Sequence, residues 1–262
     1  MRTATKSPGF DSLLLHVDDG VARLTLNRPQ RLNALSPASM RELIAAARWL
    51  AAQPDLRVVL LSGQGRAFCA GVDLQAMASS PATLERADTD LGRQMIDAWL
   101  AIPAITLAAV HSHCVGGGLL LAAACDLRIA AADARFSLPE MALGIPLTWG
   151  GVPLLVRLLG PAVAMELVLD ADVFDAAIAL RWRFVNRCVP PEQLDQASRD
   201  WAARLAQRPL LALRATKRRF QAVADALCTS RGSEADADDL LAAYLDPETQ
   251  AVRSRYLAAR QR

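Results

Sequence analysis

Ala104-Ile105-Thr106-Leu107-Ala108-Ala109-Val110, a short His111-Ser112-His113-Cys114-Val115 connection, and then Gly116-Gly117-Gly118-Leu119-Leu120-Leu121-Ala122-Ala123-Ala124 form the stretch that decides the fold. The opening run is short, apolar and bounded by turn residues, the pattern of a buried strand. The glycines break it, and the Leu/Ala run beyond them reads as a helix from about Gly117. Asp126 to Ala130 reads as the next strand. Strands separated by a helix predict a mostly parallel sheet. The uncharged run from Ala98 to Cys125 is long enough to cross a bilayer. Pro103, His111, Ser112, His113 and the glycine triplet fit a buried strand, turn and helix better, and no membrane association is expected.

Outward from this stretch the pattern repeats. Leu13 to Val17, Asp18-Asp19-Gly20 and Val21 to Leu26 predict a β-hairpin with an Asp-Gly turn. Ser36 as N-cap and Pro37 at the first helical position open a helix to about Ala52. Leu56 to Leu61 predicts a buried strand, and a loop from Ser62 to Gly71 follows. A helix is expected from about Ala82 to Leu100. From about Gly150 onward the chain reads as nearly all helix. Its apolar faces exceed what one layer on a sheet requires, which points to self-association. The expected division is a core over residues 1–200 and a C-terminal helical module over 201–262.

Composition narrows the class. The chain has 262 residues, enough for one large core, with 53% apolar and 21% charged residues. A net charge of +2 gives no call to nucleic acid. Five cysteines with no CxxC spacing read as reduced core thiols. No apolar leader is evident in the opening residues, so a cytoplasmic location is expected.

Two glycine-bearing loops follow strand ends: Phe68-Cys69-Ala70-Gly71-Val72-Asp73-Leu74 and Val115-Gly116-Gly117-Gly118. Ligands gather beyond the carboxyl ends of strands in open α/β sheets. A free N–H at a helix start carries the positive end of the helix dipole. Two such groups aimed at one point would make an oxyanion hole; the plain alternative is a pair of ordinary turns. There is no GxGxxG, no GK[ST] phosphate loop and no GxSxG elbow. Glu140, in Ser137-Leu138-Pro139-Glu140-Met141-Ala142-Leu143-Gly144-Ile145-Pro146, has almost wholly apolar neighbours. Desolvation there would raise its pKa toward that of a useful base, whereas a solvent-facing glutamate would do nothing. His111 and His113 lack a distant ligand set, so no metal is expected.

The order of motifs then resembles one family. It runs through Asn27-Arg28-Pro29 with Asn33-Ala34-Leu35, the loop to Gly71-Val72-Asp73-Leu74, Val115-Gly116-Gly117-Gly118, Cys125-Asp126-Leu127-Arg128-Ile129-Ala130, Phe136 to Glu140, Leu143 to Pro146, and Gly150-Gly151. This is similar to the crotonase (enoyl-CoA hydratase/isomerase) superfamily. The resemblance implies an α/β core of repeated ββα units with a helical trimerisation module. It implies an acyl-CoA thioester as substrate, no cofactor beyond the CoA carried by that substrate, and a homotrimer or dimer of trimers. It makes the N–H groups of Val72 and Gly117 the oxyanion donors. Main-chain groups around Cys69 and Ala70 would meet the adenine, and Gln30, Arg31 and Ala34 would line the phosphate and pantetheine path. Asp73 and Leu74 would also border the substrate. Leu120, Leu121, Met141, Leu147 and Trp149 would line an acyl pocket or simply pack in the core.

Departures from the family pattern bear on the reaction. Family hydratases carry two glutamates. The second matches Glu140, and the first falls on Leu120, which moves no proton. His111-Ser112 stands where Asn-Gly is usual. The ending Tyr256-Leu257-Ala258-Ala259-Arg260 keeps only the aromatic and one arginine of an aromatic–Glu-Lys-Arg pattern. One carboxylate can take a proton from C2 and return it at C4, while hydration is better served by two. A 3-enoyl to 2-enoyl isomerase is therefore expected. A hydratase or other crotonase-type lyase or hydrolase is the alternative, and a non-catalytic acyl-CoA-binding protein is the rival of another class.

Overall fold

A computed structural model describes residues 8–74, 86–228, 233 and 235–259. Strands β1 (Leu13–Asp18), β2 (Val21–Leu26), β3 (Val58–Gly63), β4 (Ile105–Val110), β6 (Leu127–Ala131) and β9 (Arg187–Val189) form one sheet in the order β1-β2-β3-β4-β6-β9. Only the β1/β2 pair is antiparallel. Asp19 and Gly20 both take positive φ there, 44° and 74°, as a tight hairpin turn demands.

A second, smaller layer contains β5 (His113–Val115), β7 (Arg135–Ser137) and β8 (Phe174–Asp175). Parallel bridges Cys69–Cys114 and Leu35–Val72 extend this layer into the loop after β3. The chain thus places a strand in the large sheet, a short strand or bridge in the small layer, and then a helix, and repeats. β4, β5 and the helix Gly117–Ala123 are the clearest such unit. This is the repeated ββα architecture that the motif order implies.

Helix starts follow local chemistry. Ser36 caps the helix Pro37–Ala51 by accepting from Ser39 N–H, and Ser39 Oγ accepts from Ser36 N–H in return. That helix buries Met40, Leu43, Ile44, Ala47 and Leu50 on one face. On the other side of the large sheet, Val58, Leu60, Leu107, Ala109 and Ile129 pack with Leu194, Trp201 and Ala202 of the helix Leu194–Ala206. The next helix, Leu210–Leu227, is tied down by buried Lys217. Its Nζ lies 2.6 Å from Asp126 Oδ2 and 2.9 Å from the Ala104 carbonyl oxygen. The same carboxylate oxygen accepts from the Thr106 N–H and hydroxyl.

Two expectations change, and a third is only partly covered. β3 begins at Val58 rather than Leu56. The connection after β4 contains β5, and the region after Gly150 contains β8 and β9, with β9 extending the large sheet beyond β6. Strands of two or three residues carry no readable alternation, so the partner that pairs them is visible only in space. The helix expected from Ala82 is described from Arg86 to Leu100, and residues 82–85 lie outside the described residues. No described helix is long and apolar enough to cross a membrane.

Candidate active site

The two glycine-bearing loops meet. Gly71, at φ 88°, gives its carbonyl to Leu35 N–H at 2.7 Å, and Asp73 N–H donates to the Leu35 carbonyl at 2.9 Å. These two bonds flank Val72. Among the described residues its own N–H has no acceptor. A Cβ at Gly71 would sit 2.9 Å from the Val115 carbonyl oxygen, so only glycine lets the loop come this close to β5. On the other side Gly116, at φ 51°, donates to the Ser137 carbonyl at 2.9 Å and turns the chain into the helix Gly117–Ala123. The first N–H groups of any helix lack intrahelical acceptors. That of Gly117 finds none elsewhere among the described residues.

Every residue of this short helix is buried, so both of its ends need satisfying inside the core. At the far end the guanidinium of Arg128, 2% exposed, donates to the carbonyls of Ala122, Ala123 and Cys125 and to that of Phe184. A cation at the carbonyl end complements the negative end of the helix dipole.

Val72 and Gly117 line one cavity of about 90 Å³ together with Glu140. Glu140 follows β7 and Leu138-Pro139. The residue as a whole is partly exposed, but Oε2 is closed off from solvent and has no hydrogen-bond partner. Burial pushes its carboxyl up to about 7. Leu120, Pro139, Leu143, Ile145 and Leu147 are among the apolar residues around it, and among the described residues no other carboxylate borders the cavity. The arrangement offers two donors for a developing negative oxygen and one base poised near neutral pH.

Not every residue expected at the site is there. Ala70, Val72, Leu74, Gly117, Leu120, Glu140, Leu147 and Trp149 border the cavity. Met141 does not; it is 42% exposed on the turn Met141–Leu143. Leu121 faces the core. Cys69 has its N–H on the His113 carbonyl and its carbonyl on Val115 N–H, so it joins the two loops. Burial holds its thiol near 12, and it is inert as a nucleophile. Asp73 pairs with Arg28 at 3.0 Å and borders the loop, not the cavity. Gln30 and Arg31 are exposed on the turn Pro29–Arg31, and Ala34 lies beside them outside the cavity lining. His111 Nε2 lies 2.9 Å from the Gly65 carbonyl oxygen. Among the described residues no group of three His, Cys, Asp or Glu could hold a metal ion.

Sequence reasoning missed Leu240, Tyr244 and Tyr256. They reach the cavity from the helices Asp236–Leu245 and Pro247–Ala259, which pack on the helix Arg86–Leu100 and on the turn Met141–Leu143. Only a tertiary contact brings them there, and nothing local signals it. Arg260 lies outside the described residues.

Fold and site together define an α/β protein of stacked ββα units whose loops bring two open main-chain donors and one buried carboxyl to a single cavity. Comparison with known proteins places it. Residues 16–261 match the enoyl-CoA hydratase/isomerase family model. A probable enoyl-CoA hydratase of Mycobacterium tuberculosis is 37% identical over 211 residues, covering 79% of this chain and 80% of that protein. The crotonyl-CoA hydratase of Syntrophomonas wolfei is 34% identical over 209 residues, covering 79% and 80%. The crystal structure of an enoyl-CoA hydratase/isomerase from Xanthobacter autotrophicus superposes with a TM-score of 0.85 at 30% identity, covering 93% of this chain and 91% of that one. The chain belongs to the enoyl-CoA hydratase/isomerase family, within the crotonase superfamily of acyl-CoA enzymes.

Proposed function

We propose that the protein shifts the double bond of a 3-enoyl-CoA thioester to the 2,3 position, with Glu140 as the only proton carrier. The observation that carries this reading is that Glu140 is the one carboxyl among the described residues of the cavity, with Leu120 lining it at the position where the family resemblance would put a second. The thioester oxygen would sit between the N–H groups of Val72 and Gly117. Glu140 carboxylate takes a proton from C2, and the electron pair moves onto the oxygen as a dienolate held by both donors. The C3=C4 pair takes the proton back from Glu140 at C4, the C1=C2 pair becomes the C2=C3 bond, the oxygen's pair re-forms the thioester carbonyl, and the carboxylate is regenerated. Removal of one donor from such a pair costs about 10²–10³ in rate.

Hydration of a 2-enoyl thioester is the second reading. The relatives named above as hydratases favour it, as do Thr148, Tyr244 and Tyr256, hydroxyl-bearing residues of the cavity that could hold a water. A panel of 2-enoyl and 3-enoyl thioesters separates the two. Turnover of the 3-enoyl set, with hydration raised by Leu120→Glu, is expected. Strong hydration by the unmodified protein with no 3-enoyl turnover would overturn isomerisation.

CoA would run from the cavity past Ala70 toward Gln30 and Arg31. The assembly would be a trimer or a dimer of trimers. Phe220, Val223 and Leu227, 74%, 60% and 82% exposed, form an apolar stripe on the helix Leu210–Leu227 that supports a subunit contact. Light scattering at micromolar concentration should report a trimer or hexamer, and a monomer would reject the assembly.

A further inference from the structure

Gly117 and Trp149 border the cavity side by side. Trp149 is 8% exposed, and its indole packs on two glycines. A Cβ at Gly92 would fall 1.8 Å from Trp149 Cε2, and one at Gly117 would fall 2.3 Å from Cζ3. Leu120 and Leu147 border the cavity as well: both come within about 3 Å of a Cβ placed on Gly151, at 3.1 and 2.9 Å. The indole is held there against a backbone preference. Trp149 has φ 62°, a left-handed conformation that a bulky residue adopts only under strain. The flanking chain is pinned. Gly150 N–H donates to Asp236 Oδ2 at 2.7 Å, and Gly151 N–H donates to the Thr148 carbonyl at 3.0 Å. Strain kept in place by such contacts is found where a side chain's position matters to function.

Size and charge of the remaining space follow. About 90 Å³ is well below the roughly 300–1,000 Å³ of usual ligand pockets and leaves room for a short acyl group. Among the described residues no Lys, Arg or His borders the cavity, so a second carboxylate on the acyl group would be desolvated there with no described cation to meet it. Next to it, Glu140 would repel it whenever ionised.

We propose that Trp149 sets the upper limit on acyl length, and that the substrate is a short, uncharged acyl thioester. This rests on the reading of the cavity as an acyl-CoA site, but not on which reaction occurs there.

The test uses unreactive saturated thioesters, so that binding is read without turnover. Butanoyl-CoA, decanoyl-CoA and glutaryl-CoA are titrated by calorimetry into the unmodified protein, Trp149→Phe and Trp149→Ala, each first checked by thermal melt. The unmodified protein should bind butanoyl-CoA at least about tenfold more tightly than either of the others, the discrimination a pocket wall provides. Trp149→Ala should erase the difference between butanoyl and decanoyl and leave the rejection of glutaryl. Trp149→Phe, which keeps a smaller ring, should fall between and serves if the alanine variant does not fold. Equal binding of butanoyl and decanoyl by the unmodified protein would overturn the proposal, as would an unchanged ratio in folded Trp149 variants. A length preference without any 3-enoyl turnover would sink only the isomerase reading. Absence of binding by every thioester would sink the acyl-CoA site and this inference together.

Discussion

Glu140→Gln should lose 3-enoyl isomerisation by about 10²–10⁴-fold and at the same time gain stability above neutral pH. The two effects have one cause. The carboxyl sits with Oε2 closed off and unpartnered, so the ionised form is penalised and the pKa stands at about 7 against an ordinary 4.5. A carboxyl whose folded pKa is raised binds its proton more tightly in the native state than in the unfolded one. Stability is therefore undiminished below the unfolded pKa, falls as pH rises from about 4.5 to about 7, and stays lower above that. The full penalty is about 3–4 kcal/mol at most, from 1.36 kcal/mol per pKa unit. Glutamine carries no charge and escapes it. Thermal melts of the two proteins should coincide near pH 4 and separate at pH 8 in favour of Glu140→Gln, by about 2–4 °C per kcal/mol. Catalysis runs the opposite way, because the base is the carboxylate. Isomerisation by the unmodified protein should rise with pH through about 7 and then level off. Retained turnover in folded Glu140→Gln would remove this residue from the reaction and revive the binding-protein reading. A variant less stable at pH 8 would mean that the carboxylate is solvated or paired in the folded protein.

Gly117→Pro should lower turnover by about 10²–10³-fold, the effect of one missing donor. Proline suits the first position of a helix, where the backbone N–H has no intrahelical acceptor in any case, so the helix Gly117–Ala123 itself should tolerate it. The difficulty is steric. Any Cβ at Gly117 falls 2.3 Å from Trp149 Cζ3 and 2.7 Å from Cη2, so Gly117→Ala must also displace the indole. Double variants separate the causes. With Trp149→Ala making room, Gly117→Ala keeps its N–H and should recover most of the activity of Trp149→Ala alone. Gly117→Pro in the same background should not. Equal recovery of both would show that the Gly117 N–H does not hold the oxygen, and that packing against Trp149 was all that mattered.

Much of this site was legible before any coordinates. The order of the glycine-bearing loops, the helix that Gly117 opens and the apolar company of Glu140 are local facts, fixed by residue types that act within a few positions of themselves. The hairpin turn at Asp19-Gly20 and the Ser36 cap are equally local, and the structure has both. Met141 shows the limit of that reasoning. It adjoins Glu140 in sequence, but the turn Met141–Leu143 directs it to solvent. Asp73 adjoins Val72, yet Arg28 takes its carboxylate away from the cavity.

By itself, then, the sequence determined the parallel α/β core, the two loops and the one carboxylate with Leu120 in place of a second, because hydrophobic period, glycine conformation and side-chain chemistry are properties of short stretches. Tertiary structure alone decided that β5, β7 and β8 form a second layer, since strands so short exist only when a partner pairs with them. It alone brought Leu240, Tyr244 and Tyr256 over a cavity built more than a hundred residues earlier around Val72 and Gly117. It alone laid the Trp149 indole on Gly92 and Gly117, because which side chain fills a gap depends on shapes that meet only after the chain has packed.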